Sequence, residues 1–204
     1  VLFIIGITNS INLIDGIDRL AGGISIISMI SFISLNLFLG LQFQANYLLF
    51  ALLGSLFSFM IYNGFQSKIF LGDSGSLFLG YTLAVLSIWI PGTQLGTQSI
   101  LPILILAVPI LDTIFAIFRR LLKGIPFYSA DNDHLHHRLI SKGFSPTSAM
   151  VFLVLTAMLF GGLALMAFSL SHPYNLQGYV FLAAIIPGLS FALLAGIRCY
   201  PQTA

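Results

Sequence analysis

Lys68-Ile-Phe-Leu-Gly-Asp73-Ser-Gly-Ser-Leu-Phe-Leu-Gly80 places one carboxylate among glycines and hydroxyls, between two long apolar runs. A carboxylate at the edge of an apolar span is costly, so its presence points to function before structure. Gly72, Ser74, Gly75 and Ser76 leave the backbone free to approach a phosphate or a hydrated cation. The runs on either side fix the fold class. Of the 204 residues, 58% are hydrophobic and 7% are charged, against about 25% charged in soluble domains. The expected fold is all-α: a polytopic transmembrane helix bundle in a lipid bilayer, forming a single domain over 1–204. Nucleic acid is not an expected partner.

Working outward, apolar segments run over Leu2–Ile14, Gly22–Leu41, Tyr47–Phe65, Ser76–Pro91, Ile100–Phe118, Thr147–Leu170 and Leu176–Ile197. About seven membrane segments are therefore expected, the shorter ones spanning with an interfacial turn at each end. The first is short and lacks the basic start and small-residue cleavage site of a signal peptide. It reads as a fragment entered inside a helix, with part of the working protein upstream. If the segments alternate, Arg19, Lys68, Arg119, Arg120, Lys123, Arg138, Lys142 and Arg198 all fall on one side. The positive-inside rule makes that side cytoplasmic. The single cysteine, Cys199, excludes a disulfide framework and a thiolate cluster.

All six acids are aspartates, which suggests short, positioned carboxylates rather than a solvated surface. Asn9, Asn12, Asp15 and Asp18 recur at intervals of three and share a helix face. Such a stripe suits a metal ion, a ribose or a sugar amide; as structure alone it would be a polar seam between helices. Asp73 suits Mg²⁺, a hard cation that takes one or two carboxylates and keeps waters. A cap on the following helix is its structural alternative. Asn63 and Phe70 precede that loop, and Phe70 could stack on a base. Val108 to Arg120 carries Pro109, a helix breaker, then Asp112 at some depth in the bilayer and Arg119 two turns on. Asp112 suits either a catalytic role or a bond to a neighbouring helix. Asp131-Asn-Asp-His-Leu-His-His-Arg138 holds three of the four histidines. His134, His136 and His137 could bind Zn²⁺, or could donate hydrogen bonds to a diphosphate beside Arg138, which is preferred here. His172, beside Pro173, reads as structural.

Four motifs in order carry a resemblance: Asn9-x-x-Asn-x-x-Asp-Gly-x-Asp18, Phe70-Leu-Gly-Asp-Ser-Gly-Ser76, Pro109-x-x-Asp-Thr113 with Arg119-Arg120, and His134-Leu-His-His-Arg138. Together they resemble the polyprenyl-phosphate N-acetylhexosamine-1-phosphate transferases, glycosyl transferase family 4. The His-Leu-His-His-Arg form is most similar to the undecaprenyl-phosphate N-acetylglucosamine-1-phosphate transferases. The resemblance implies a multi-pass enzyme of the bacterial plasma membrane with a cytoplasmic active site. Its partners would be undecaprenyl phosphate and a UDP-sugar, its cofactor Mg²⁺, and it admits a homodimer. UDP-N-acetylglucosamine is the favoured donor, with N-acetylfucosamine and N-acetylquinovosamine donors as competitors. The product would feed an envelope polymer such as O-antigen or teichoic acid.

On this reading Asp73 and Asn12 hold the metal, and Asp15 and Asp18 orient the nucleotide sugar or the metal's waters. His134, His136 and His137 serve catalysis by holding the diphosphate or sugar, with Arg138. Asn9, Asn12, Asn63, Phe70, Asp112, Arg119 and Arg138 contact substrate. The chain departs from the family at Arg19, where glycine is common, and it begins after the paired-aspartate motif that the family carries upstream. An ion-coupled transporter would instead spread its acids through the bilayer depth. An inactive homologue serving assembly would rest on Arg19 alone.

Overall fold

The computed structural model describes residues 1–39, 43–64, 69–90, 100–124, 126 and 134–170. Lys68, Asp131, Asp133, His172, Arg198, Cys199 and the segment Leu176–Ile197 lie outside the described residues. The described chain is all-helical: α1 Leu2–Ile14, α2 Leu20–Leu39, α3 Phe43–Gly64, α4 Gly72–Trp89, α5 Leu101–Ile105, α6 Ala107–Leu122, α7 Leu135–Ser141 and α8 Pro146–Leu170.

Three of these helices, α2, α3 and α8, are long and apolar enough to cross a membrane. Seven spans are not established by them. Helix α1 is apolar but has 13 residues. The expected continuous segment Ile100–Phe118 is broken instead at Leu106 (φ −94°, ψ 18°), which divides α5 from α6. Pro109 is not itself the break. It sits in the first turn of α6, where a missing N–H costs nothing.

Helix α2 forms the middle of the bundle, with 78% of its apolar window buried, whereas α3 has only 22% buried and lies outside. Helix α3 presents Tyr47, Leu48, Phe50, Phe57, Ile61 and Tyr62 outward. Large exposed side chains of this kind on one helix suit contact with lipid rather than water. Six hydroxyls within the helices are satisfied locally: Ser10, Ser31, Ser55, Ser58, Thr82 and Thr156 each donate to the carbonyl four residues back. That keeps polar atoms off the lipid without requiring a partner helix.

Helix α1 packs against α4 and α6, and α2 against α8 and α3. The α1–α4 approach is close enough that a Cβ on Gly80 would come within 2.8 Å of the Thr8 backbone. No larger residue fits there without separating the helices. Thr113 Oγ1 donates to Ser10 Oγ at 2.7 Å and joins α6 to α1. Helix α8 starts on a conventional signal: Ser145 Oγ accepts the Ser148 N–H at 3.1 Å, and Pro146 occupies the first helical position.

Candidate active site

The C-termini of α1 and α3 and the N-termini of α2, α4 and α8 meet around one cavity of about 550 Å³. Its lining includes Asn12, Asp15, Asp18 and Arg19 from the first polar stretch. Asn63, Phe70, Gly72 and Asp73 come from the second, and Pro146, Thr147 and Met150 from the start of α8. The two stretches expected to converge therefore do so, although about 60 residues separate them in sequence.

Asp73 lies in the first turn of α4, after Gly72 at φ +63°, and not at the cap position, which Leu71 occupies. A carboxylate in the first turn is favoured by the positive end of the helix. Its Oδ1 accepts from Asn12 Nδ2 at 3.1 Å, and the same amide nitrogen reaches Ser76 Oγ at 2.8 Å. The Ser76 hydroxyl donates in turn to Gly72 O at 2.9 Å, which leaves its oxygen as an acceptor for Asn12. Asn12 thus orients Asp73 with an N–H. To serve as a metal ligand it would have to turn its amide. Asp73 itself is exposed to the cavity.

Asp15 follows α1 directly. Burial, then the charges of Asp18 and Asp73, push its carboxyl up to about 6. That is the behaviour of an acid drawn out of water first and set beside two like charges second. Asp15, Asp18 and Asp73 all line the cavity. No three His, Cys or acidic side chains among the described residues lie close enough to be a ready-made metal centre. A hard cation entering the cavity would meet Asp73 with Asp15 or Asp18 and would need waters or ligand oxygens to complete its shell.

Asn63 is buried at the end of α3 and joins both walls. Its Oδ1 accepts the Arg19 N–H at 2.8 Å, and its Nδ2 donates to the Ile69 carbonyl at 2.8 Å. Its carboxamide is thereby committed to the backbone rather than turned toward a substrate. Phe70, 71% exposed, lines the cavity.

The histidine stretch gathers around a different partner. Asp112 is fully buried; its Oδ2 lies 2.9 Å from His134 Nδ1, and its Oδ1 accepts the Leu135 N–H at 2.9 Å. A carboxylate on α6 thus caps α7 from outside the helix, because His134, at the cap position, makes no such bond with its own side chain. His136 is buried to 1% exposure, and neither ring nitrogen has a hydrogen-bond partner among the described residues. Burial, with His137 next, lowers its pKa to about 4, so the ring is neutral at physiological pH. It lies between His134 and His137, with ring centroids at 6.1 and 4.1 Å. A Cβ on Gly16 would collide with its Nε2, so the histidine cluster backs directly onto the Asp15–Asp18 loop. His137 is exposed and Arg138 half-buried. Asn9, Asp112, Arg119, His134, His136, His137 and Arg138 are not among the residues lining the cavity.

The sequence reading missed the start of α8 as a wall and Ser76 as the partner that fixes Asn12. Ser76 could have been found, because it lies three residues beyond Asp73 and so on the same helix face. Nothing in Pro146-Thr-Ser marks a site.

The family model for glycosyl transferase family 4 matches residues 1–91. The resemblance to glycosyl transferase family 4 is borne out. A probable undecaprenyl-phosphate N-acetylglucosaminyl 1-phosphate transferase of Bacillus subtilis is 43% identical over 161 residues, covering 78% of this chain and 45% of that protein. The undecaprenyl-phosphate alpha-N-acetylglucosaminyl 1-phosphate transferase of Escherichia coli K12 is 33% identical over 168 residues, covering 78% and 44%. Its Yersinia pestis namesake is 34% identical over 160 residues, covering 74% and 42%. The chain spans a little under half the length of these curated relatives.

Proposed function

We propose that the full-length protein transfers N-acetylhexosamine 1-phosphate, with N-acetylglucosamine favoured, from a UDP-sugar to undecaprenyl phosphate. A phosphate oxygen of the lipid bonds to the β-phosphorus of the donor, the bond from that phosphorus to the bridging oxygen breaks, and UMP leaves with the electron pair. One observation carries the reading: two aspartate-bearing stretches far apart in sequence line one cavity where five helix ends meet. The names of the relatives support the chemistry. Acids gathered at one end of the bundle suit an enzyme better than a transporter's path through the bilayer.

In this reading Asp73, steadied by Asn12, holds Mg²⁺ with Asp15 or Asp18. Mg²⁺ would neutralise charge on the diphosphate and on the leaving UMP. Phe70 offers its ring face to the uracil. Asp15 and Asp18 orient the donor, and Asn63 keeps the two walls in register. His136 supports the Asp15–Asp18 loop from behind, and His137 and Arg138 are the exposed members of the cluster that could meet the diphosphate. The distribution of basic residues supports a cavity on the cytoplasmic face of a bacterial plasma membrane, in a bundle proposed to cross it up to seven times.

The test is transfer of radiolabelled UDP-N-acetylglucosamine into extractable lipid by the full-length protein in membranes. Label should enter lipid with release of UMP and should depend on Mg²⁺. Membranes rich in well-folded protein that label no lipid with any N-acetylhexosamine donor would sink the reading.

A further inference from the structure

Thr8 of α1 meets Gly80 of α4. One turn along α1, and one turn back along α4, Asn12 meets Ser76. The two helices therefore pass antiparallel. The missing Cβ at Gly80 sets how closely Asn12 approaches the first turn of α4, where Asp73 sits. Ser76 is fully buried in that contact. Its hydroxyl has one proton, which goes to Gly72 O at 2.9 Å, with Asp73 O a longer alternative at 3.3 Å. The hydroxyl oxygen is left as an acceptor, and Asn12 Nδ2 donates to it at 2.8 Å.

A carboxamide has a donor end and an acceptor end of nearly the same shape, so its neighbours decide which way it faces. Ser76 selects the nitrogen end, and the same nitrogen reaches Asp73 Oδ1 at 3.1 Å. Without that hydroxyl the amide would keep only its longer contact, to a carboxylate exposed in the cavity. We propose that Ser76 is a positioning residue for Asp73: it fixes the end of the Asn12 amide that faces the carboxylate, so that Asp73 meets an incoming divalent cation in one orientation. Groups behind a metal ligand act in this way by removing the cost of ordering it. The proposal rests on the transferase reading only for the use made of the cation, and its test does not require turnover.

The experiment compares the purified full-length protein as wild type, Ser76→Ala, Asn12→Ala and the double variant. Binding of Mn²⁺ is titrated by electron paramagnetic resonance, beside transfer kinetics and thermal unfolding. Ser76→Ala should weaken Mn²⁺ binding about tenfold, the low end of the loss when a group behind a metal ligand is removed. Its melting temperature should stay within about 4 °C of wild type. Asn12→Ala should weaken Mn²⁺ at least as much. The double variant should lie within about twofold of Asn12→Ala, because Ser76 acts through the amide. The Mg²⁺ concentration that gives half-maximal transfer should rise by a similar factor in Ser76→Ala. If Ser76→Ala does not fold, Ser76→Cys replaces it, since a thiol is a weak acceptor of similar size.

Additive losses in the double variant overturn the proposal, because Ser76 would then serve only as packing between α1 and α4. Undiminished Mn²⁺ binding in Ser76→Ala also overturns it, as does a wild type that transfers without binding Mn²⁺; transfer by wild type leaves the transferase reading standing in each case. Mn²⁺ binding that needs Ser76 in a protein without transferase activity keeps the positioning role and sinks the transferase reading. Wild type that neither binds Mn²⁺ nor transfers sinks both.

Discussion

Asp73 and Asp112 are carboxylates of the same bundle in opposite circumstances. Asp73 is exposed in a cavity, and one of its oxygens is held by one amide. Asp112 is fully buried, and both of its oxygens are occupied, by His134 and by the Leu135 N–H. The first has unused capacity to bind something that arrives; the second spends its capacity inside the fold. Sequence could not separate them, because both are aspartates beside apolar runs and both sit in motifs that carry the same resemblance. What separates them is whether the neighbouring chain supplies hydrogen-bond partners, and for Asp112 those partners lie 22 and 23 residues downstream.

Exchanging each acid tests the contrast most directly. Asp73→Asn should abolish transfer, by on the order of 100- to 1000-fold if charge at the reacting phosphate is lost, and should leave the melting temperature near wild type. Asp112→Ala should do the reverse at the level of the fold. It strands a buried imidazole and an N–H, and should destabilise by about 3–5 kcal/mol, read by thermal unfolding in detergent. The contrast breaks if Asp112→Ala folds normally and loses only turnover.

The two regions touch at Gly16, where a methyl group would strike the His136 ring. Gly16→Ala should therefore cost about 1–3 kcal/mol through overpacking, with a matching loss of transfer as the Asp15–Asp18 loop shifts. His136→Ala should lose at least about tenfold in transfer, and the metal content should be unchanged. Stoichiometric zinc lost on that substitution would instead restore the metal reading of the cluster.

The smallest effects are those of pH. Asp15, raised from 3.8 to about 6, contributes stability that is present below pH 3.8 and is lost as pH rises through 6. His136, lowered from 6.5 to about 4, contributes stability that is present above pH 6.5 and is lost as pH falls toward 4. The two slopes oppose each other between about pH 4 and 6, so wild type should show a nearly flat melting temperature there. Asp15→Asn should remove one slope and make the protein visibly acid-labile, by about 1–2 kcal/mol across that window once solvent screening is allowed for. A flat profile in the variant would mean that the His136 ring does not stay neutral in the fold.

Much of this was legible in advance. Composition pointed to the helices that make up the described residues, and the apolar limits of α1 and α8 agree with the sequence to within a residue. Asn12, Asp15, Asp18, Asn63, Phe70 and Asp73 were singled out as site residues, and all six line the cavity. The break at Leu106 was not legible, because nothing distinguishes that leucine from its neighbours and Pro109 drew attention to the wrong turn. Nor was the inward face of His134 and His136. A histidine-rich loop reads as polar until the buried acid that receives it is located. The role of Asn63 changed for a similar reason: its partners are backbone groups, and backbone groups carry no residue signature.

That asparagine has a consequence for how such a protein tolerates change. One carboxamide fixes the separation of the Arg19 main chain and the Ile69 main chain. Asn63→Ala should let the two walls part, and a ligand that wedges between them must displace that amide.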